Sequence, residues 1–222
     1  MISPTGYIQG FDVQSQSAKD ILTEGSYIEP MHPFWFFGNS EYDELCKNFT
    51  PLVRDAGNKA LQSNDEANWE STTGKVSQLI LCDQLSRHCF RGTDEAFKYD
   101  DISLEIAKDL AEISPADDPD FYGSYSMFLA LAFMHSETLE DHKLGWECLE
   151  RAKITCPTFG WDKAKEFLLQ HTKVIEQFGR YPHRNTKKGR EITKEEEEWL
   201  NAPDVPGWAK SQGIPGSVKS QG

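Results

Sequence analysis

The chain has 222 residues and a formal net charge of −13, a length that suits one sizeable domain with tails and can bury a real core. Such acidity argues against a general nucleic-acid or anionic-membrane surface, both of which reward clustered Lys and Arg, so an anionic partner must meet a local positive site. No run approaches the ~18 apolar residues of a membrane span. Met1 to Gly10 lacks the basic and apolar regions of a signal peptide, and Asp12, Asp20 and Glu24 do not fit an acid-poor transit peptide, so a cytosolic location is expected.

Residues 1–33 show no sustained period and read as an irregular arm, ending in the aromatic knot His32-Pro33-Phe34-Trp35-Phe36-Phe37-Gly38. Burying those rings favours docking of the arm onto the domain over a partner surface. From there the pattern is helical. Asn39 or Ser40 caps a helix to about Gln62, with Pro51 restarting it as a first-turn residue. Thr72 or Thr73 caps a second helix to about His88, with Val76, Leu79, Ile80 and Leu85 on its apolar stripe. Thr93 opens a third helix over Ala96, Phe97, Ile102, Ile106 and Leu110.

Asp118-Pro119 starts a fourth helix, whose broad aromatic face carries Phe121, Tyr122, Tyr125 and Phe128 and which runs to about Met134. A fifth spans Leu139 to Ile154. A sixth spans Asp162 to Phe178, with Gly179 placed as its left-handed C-cap. Thr193 and Glu196 make a capping box for a short helix to Leu200. With no sustained β alternation the chain is all-α, an array of antiparallel helical pairs or a bundle without readable repeats. The domain is placed at 34–201; the tail 202–222, rich in Pro, Gly and Ser, lacks the apolar content to fold. Cysteines 46, 82, 89, 148 and 156 are odd in number and show no CxxC pair, which reads as reduced thiols. The sequon Asn48-Phe49-Thr50 is set aside for want of a secretion signal.

Polar chemistry collects in three places. In the second helix Asp83 falls on the apolar stripe, and Arg87 is its i+4 partner in the acid-first orientation. Either the pair is a buried ion pair fixing helix packing, or Asp83 orients Arg87 and Arg91 toward a bound anion. Gln84 lies beside them, and the amides at Arg91-Gly92-Thr93 add anion affinity. The fourth helix ends in His135-Ser136-Glu137, and Phe178-Gly179-Arg180-Tyr181-Pro182-His183-Arg184-Asn185 crowds cations around two helix breakers. His135, His171, His183 and Glu137 could form a metal or acid/base site, but their spacing is a poor metal motif and no metal or other cofactor is assigned. His171, on the stripe of the sixth helix, reads first as a satisfied core histidine.

Of seven arginines, Arg87, Arg91, Arg180, Arg184 and Arg190 lie in these polar stretches. Arginine suits two-point binding of carboxylate or phosphate. The competing outcome is a network in which the arginines pair with Asp83, Glu137 and Asp141 and bind nothing.

Trp35, Thr73-x-Lys75-x4-Ile80-Leu81-x-Asp83-Gln84-x2-Arg87-x3-Arg91-Gly92-Thr93-x2-Ala96-Phe97, His135-Ser136-Glu137 and Phe178-Gly179-Arg180-Tyr181-Pro182-His183-Arg184-Asn185-x3-Gly189-Arg190-Glu191 together resemble the largely bacterial family known as domain of unknown function 924, over about residues 34–201. The resemblance implies a tetratricopeptide-like all-α fold and no established activity. Ser86 stands where the family usually has Pro, His88 where Asn is usual, Met134 where Glu often precedes the HSE phrase, and Tyr181 where Phe is usual. Ser86 is expected to leave its helix straighter.

The combined expectation is a pocket in which Gln84, Arg87, Arg91, Arg180, Arg184, Asn185 and Arg190 bind a small anionic ligand. His135 or His183 would move a proton, and Asp83 and Glu137 would orient or activate it. Hydrolysis or group transfer on a phosphorylated or carboxylated metabolite is the matching reaction class. The alternative is a non-catalytic module whose concave face binds a peptide or protein. No nucleotide loop, dinucleotide fingerprint or nucleophile elbow is present.

Overall fold

The computed structural model describes residues 40–63, 68–113, 123–155 and 161–211, and all regular structure among them is helical. The irregular arm, the aromatic knot, Asp118-Pro119, Phe121, Tyr122, Cys156 and the last residues of the tail lie outside the described residues.

The first predicted helix is two: α1 (Ser40–Cys46) and α2 (Thr50–Gly57), joined by a 3-10 turn at Lys47–Phe49. Pro51 sits in the first turn of α2, where its missing N–H costs nothing. α2 stops at Gly57, short of Gln62, because Lys59 adopts φ +55°, outside helical space. Gly57 lies so close to the Tyr99 ring that a Cβ there would come within 2.0 Å of it.

The second predicted helix begins at Thr72, but its cap is Ser71, whose hydroxyl accepts from the Gly74 amide at 3.1 Å. It runs as α3 (Thr72–Ile80), widens into a π turn at Leu81–Leu85, and ends as α4 (Ser86–Cys89). The third divides into a 3-10 turn at Asp94–Phe97 and α5 (Asp100–Ala111), with Asp100 and Asp101 in the first turn of α5 where the helix dipole favours them.

α6 (Tyr125–Met134) ends where expected but begins at Tyr125, not at Asp118-Pro119, because Gly123 and Ser124 form a turn; α7 (Leu139–Thr155) and α8 (Trp161–Phe178) lie within a residue of the expected bounds. All ten residues of α6 are buried, so it shows no amphipathic period, the sign of a helix surrounded by protein. It packs against α3, α5, α7 and α8. Its main cluster gathers Leu79, Leu110, Phe128, Leu129, Phe133, Leu149 and Leu168. A second cluster joins α1 and α2 to the π turn through Val53, Leu81, Leu85 and Phe97. Cys46, Cys82, Cys89 and Cys148 are free and buried.

Gly179 takes φ +67° and ends α8, as a C-cap glycine does, and Pro182 opens a 3-10 turn at Pro182–Arg184. Thr193 and Glu196 complete the capping box of α9 (Lys194–Leu200). Folded structure does not stop at residue 201. Val205 and Ala209 are buried, and α10 (Gly207–Ser211) brings Trp208 against the body of the domain, so the start of the predicted tail is anchored to it. Composition underrated that segment because two apolar side chains and one indole suffice to anchor it.

Candidate functional site

The π turn sets the site. One extra residue in the turn carries Asp83 and Gln84 inward, and both are buried. Ser86, where a straighter helix was expected, instead donates back to the Cys82 carbonyl at 2.6 Å, just after the widened turn. Asp83 accepts from His135 Nδ1 at 2.6 Å, from the Gln84 amide, and contacts Arg87 Nη1 at 3.3 Å. Arg87 also bonds the Asp83 carbonyl and reaches Asp100 Oδ1 at 3.0 Å. Arg184 Nη1 meets Asp100 Oδ2 at 3.1 Å and donates to the His135 carbonyl at 2.8 Å. Charge therefore alternates along Asp83, Arg87, Asp100 and Arg184, and His135 closes the loop, its imidazole on Asp83 and its backbone carbonyl on Arg184.

The contacts to Asp100 are charge contacts, not aligned hydrogen bonds, and leave Arg87 Nη2 and both Asp100 oxygens without a hydrogen-bond partner. Arg184 Nε and His183 Nδ1 are likewise buried and unpartnered. Three cations lie over the Phe97 ring: Arg87 at 5.6 Å, Arg184 at 4.9 Å and Lys187 at 5.1 Å from its centroid. Arg184 also stacks on Tyr181 at 4.6 Å.

The three suspected histidines do gather. His135 and His171 rings are 6.1 Å apart, His171 and Tyr181 5.8 Å, and Tyr181 and His183 5.6 Å. Trp208 lies flat on His171 at 3.8 Å and edge-on to His183 at 5.5 Å. His171 donates Nδ1–H to the Phe167 carbonyl at 2.8 Å, so burial and a backbone acceptor satisfy it as expected of a core histidine. Among the described residues no group of three or more His, Cys, Asp or Glu is arranged to hold a metal ion.

Burial disfavours an ionised Asp83, but the neighbouring His135 and Arg87 outweigh it and hold the carboxyl well below the usual range. Burial and the Arg87 charge push His135 down, so the imidazole is neutral at neutral pH. Because Asp83 can only accept, the His135 proton sits on Nδ1, leaving Nε2 as a lone pair. His171 is pushed well below its ordinary value by burial and His135, and His183 by burial and Arg184.

The other predicted side chains, Glu137 among the catalytic ones and Arg91, Arg180, Asn185 and Arg190 among the ligand-binding ones, are committed elsewhere. Glu137 accepts two bonds from Arg190, at 2.7 and 3.0 Å, and one from the Tyr181 amide at 2.9 Å, so it clamps the turn and does not face His135. Arg180 binds Glu196 at 2.6 and 2.9 Å, and Asn185 donates to the same carboxylate at 3.0 Å. These bonds, led by that from Arg180, hold the Glu196 pKa at about 2. Arg91 pairs with Asp43 at 2.6 and 3.0 Å, joined by His88 at 2.8 Å. Asp141 takes Lys108 at 2.7 Å, not an arginine. A cavity of about 470 Å³ lined by Glu41, Glu44, Leu45 and Asn48 shares no residue with the site.

Of the predicted set, Asp83, Gln84, Arg87, His135, His183 and Arg184 come together, whereas Glu137, Arg91, Arg180, Asn185 and Arg190 do not join them. The sequence reading missed Asp100, Tyr181, Phe97 and Trp208. Asp100 had one available signal, an acidic first turn on a helix expected to pack beside the second.

A solved structure of a protein of unknown function from Agrobacterium tumefaciens is similar to this chain in fold, with a TM-score of 0.58 and 24% identity over 80% of this chain and 98% of that one. No curated protein is significantly similar. The family model described as "Bacterial protein of unknown function (DUF924)" matches residues 23–204. The chain belongs to that family.

Proposed function

We propose that the Asp83–His135 pair and the two guanidiniums beside it form a site for a small anionic, phosphate- or carboxylate-bearing metabolite, with hydrolysis or group transfer as the reaction class. The observation that carries this reading is a pair of buried polar atoms without a partner, the donor Arg184 Nε and the ring atom His183 Nδ1, in the same cluster as an imidazole anchored through Nδ1. A buried donor without a partner costs roughly 1–3 kcal/mol, a cost that an anion accepting from Arg184 Nε would remove. Arg87, Arg184 and Lys187 around Phe97 supply the matching positive field. His135 Nε2 would take a proton from water or a hydroxyl, and Asp83 would fix the tautomer and stabilise the imidazolium that forms. The proton then goes to the leaving group. The acidity of the chain and the lack of a membrane-crossing helix among the described residues fit action in the cytosol.

An open peptide groove fits less well, because Arg87 and Arg184 are buried, and a chain needs accessible side chains along its length. The test is a thermal-shift screen of phosphorylated and carboxylated metabolites against the wild type, Arg184→Ala and His135→Gln. Saturable stabilisation is expected, about 2.7 kcal/mol at a hundredfold excess over Kd. Arg184→Ala should abolish it, and His135→Gln should keep binding while losing any turnover. No saturable stabilisation by any anion would overturn the proposal.

A further inference from the structure

We propose that residues 201–211 are a strap that covers this site, with Trp208 as its closure, and that solvent and ligand reach the histidine cluster only when the strap lifts. Resting on the anion-site reading for its purpose, the inference has a separate structural basis. Trp208 lies 18° from parallel on His171, with ring centroids 3.8 Å apart. The same indole meets Tyr181 edge-on at 5.8 Å and His183 at 5.5 Å. It thus touches three of the rings that surround the unpartnered polar atoms, from a segment outside the helical body.

The strap is anchored through side chains, among them Trp208, which also packs beside Trp199 with ring centroids 6.4 Å apart. Val205 and Ala209 are its buried apolar side chains, and the Trp208 indole N–H donates to Gln170 at 3.3 Å. Its helix has five residues and follows Pro203 and Pro206, far below the length at which a helix is stable alone. A segment anchored through a few side chains opens at lower free energy than the core beneath it. His171 lies directly under the indole and is buried with it in place.

The experiment uses the full chain and no ligand: diethyl pyrocarbonate labelling of histidines, read peptide by peptide. In the wild type His171 and His183 should label slowly. In Trp208→Ala both should label roughly tenfold faster, the factor that an aromatic contact of this kind is worth. His142, held by Thr172 at 2.8 Å and the Ser136 carbonyl at 3.0 Å, is the internal control and should not change. Unchanged labelling of His171 and His183 in the variant overturns the proposal. If Trp208→Ala raises all three alike, Gln170→Ala decides, since it removes only the indole's acceptor. A selective rise there supports the strap, and a parallel or absent rise overturns it. Failure of the metabolite screen leaves this readout intact, and the reverse also holds.

Discussion

Replacing Asp83 by Asn removes one charge from the closed loop and almost no volume. Asp83 is fully buried, 3.3 Å from Arg87 Nη1 and 2.6 Å from His135 Nδ1. At an effective dielectric of about 20, a pair at 3.3 Å attracts by about 5 kcal/mol, much of it offset in the wild type by desolvation. The variant leaves Arg87 buried with Asp100 as its remaining counter-charge, and removing one partner of a buried pair costs about 3–5 kcal/mol. An amide oxygen still accepts from His135, which places the expected loss near 3 kcal/mol at pH 7, at the lower end of that range. Urea unfolding followed by far-UV circular dichroism measures it.

The pH dependence gives a second check on the same variant. The folded-state pKa of Asp83 is depressed, so its contribution is fully present above the unfolded value of about 4 and is lost as pH falls through the folded one. The gap between wild type and Asp83→Asn should be constant from pH 7 to about 5 and narrow below about 4. A loss under about 1 kcal/mol at pH 7, the level of an exposed pair, would refute the reasoning. So would a gap that does not narrow in acid.

His171 and His183 have depressed pKa values in the folded state, so the unfolded chain binds more protons and stability falls as pH drops below about 6.5. Melting temperature should decline from pH 7 to 5, and His171→Gln should reduce the slope of that decline. Gly57→Ala drives a methyl to 2.0 Å from the Tyr99 ring and should cost about 1–3 kcal/mol in thermal unfolding, with the secondary structure retained. Thr193→Ala removes the 3.2 Å bond to the Glu196 amide, and with it about 1 kcal/mol; amide exchange should quicken in the first turn of α9 while α6 is unaffected.

Features encoded within a few residues were legible. Gly179, the Thr193/Glu196 box and the stripe of α8 each depend on spacing inside one turn or one helix; the structure has the first two where the pattern puts them, and of the stripe Ala164, Leu168, His171, Val174 and Ile175 are buried while Phe167 is exposed. The Asp83–Arg87 pair is of the same kind, an i,i+4 relation. The π turn was not legible, because Leu81-Cys82-Asp83-Gln84-Leu85 suits an ordinary helix and the extra residue is set by packing around it. Partners chosen across the fold were equally hidden. Arg190 and Glu137 are 53 positions apart and Arg184 and Asp100 are 84, and nothing in either segment names the other. Arginine clustering therefore marked a polar region but grouped side chains that the fold separates: Arg91, Arg180 and Arg190 pair with Asp43, Glu196 and Glu137, away from Arg87 and Arg184.

His135 is the C-cap of α6, the helix that has no exposed face. Its imidazole is therefore mounted on the part of the molecule with the least freedom to move, and four surrounding helices share in fixing it. Catalytic groups are more often carried on loops, where a substitution can retune the chemistry and leave the scaffold alone. Here a change of side-chain volume at Phe133 or Met134 is at once a change in the position of the His135 ring. The proposed site and the core draw on the same residues, so variation that retunes the site without unsettling the fold has to come from its walls, Phe97, Tyr181 and Trp208, and not from the helix that carries His135.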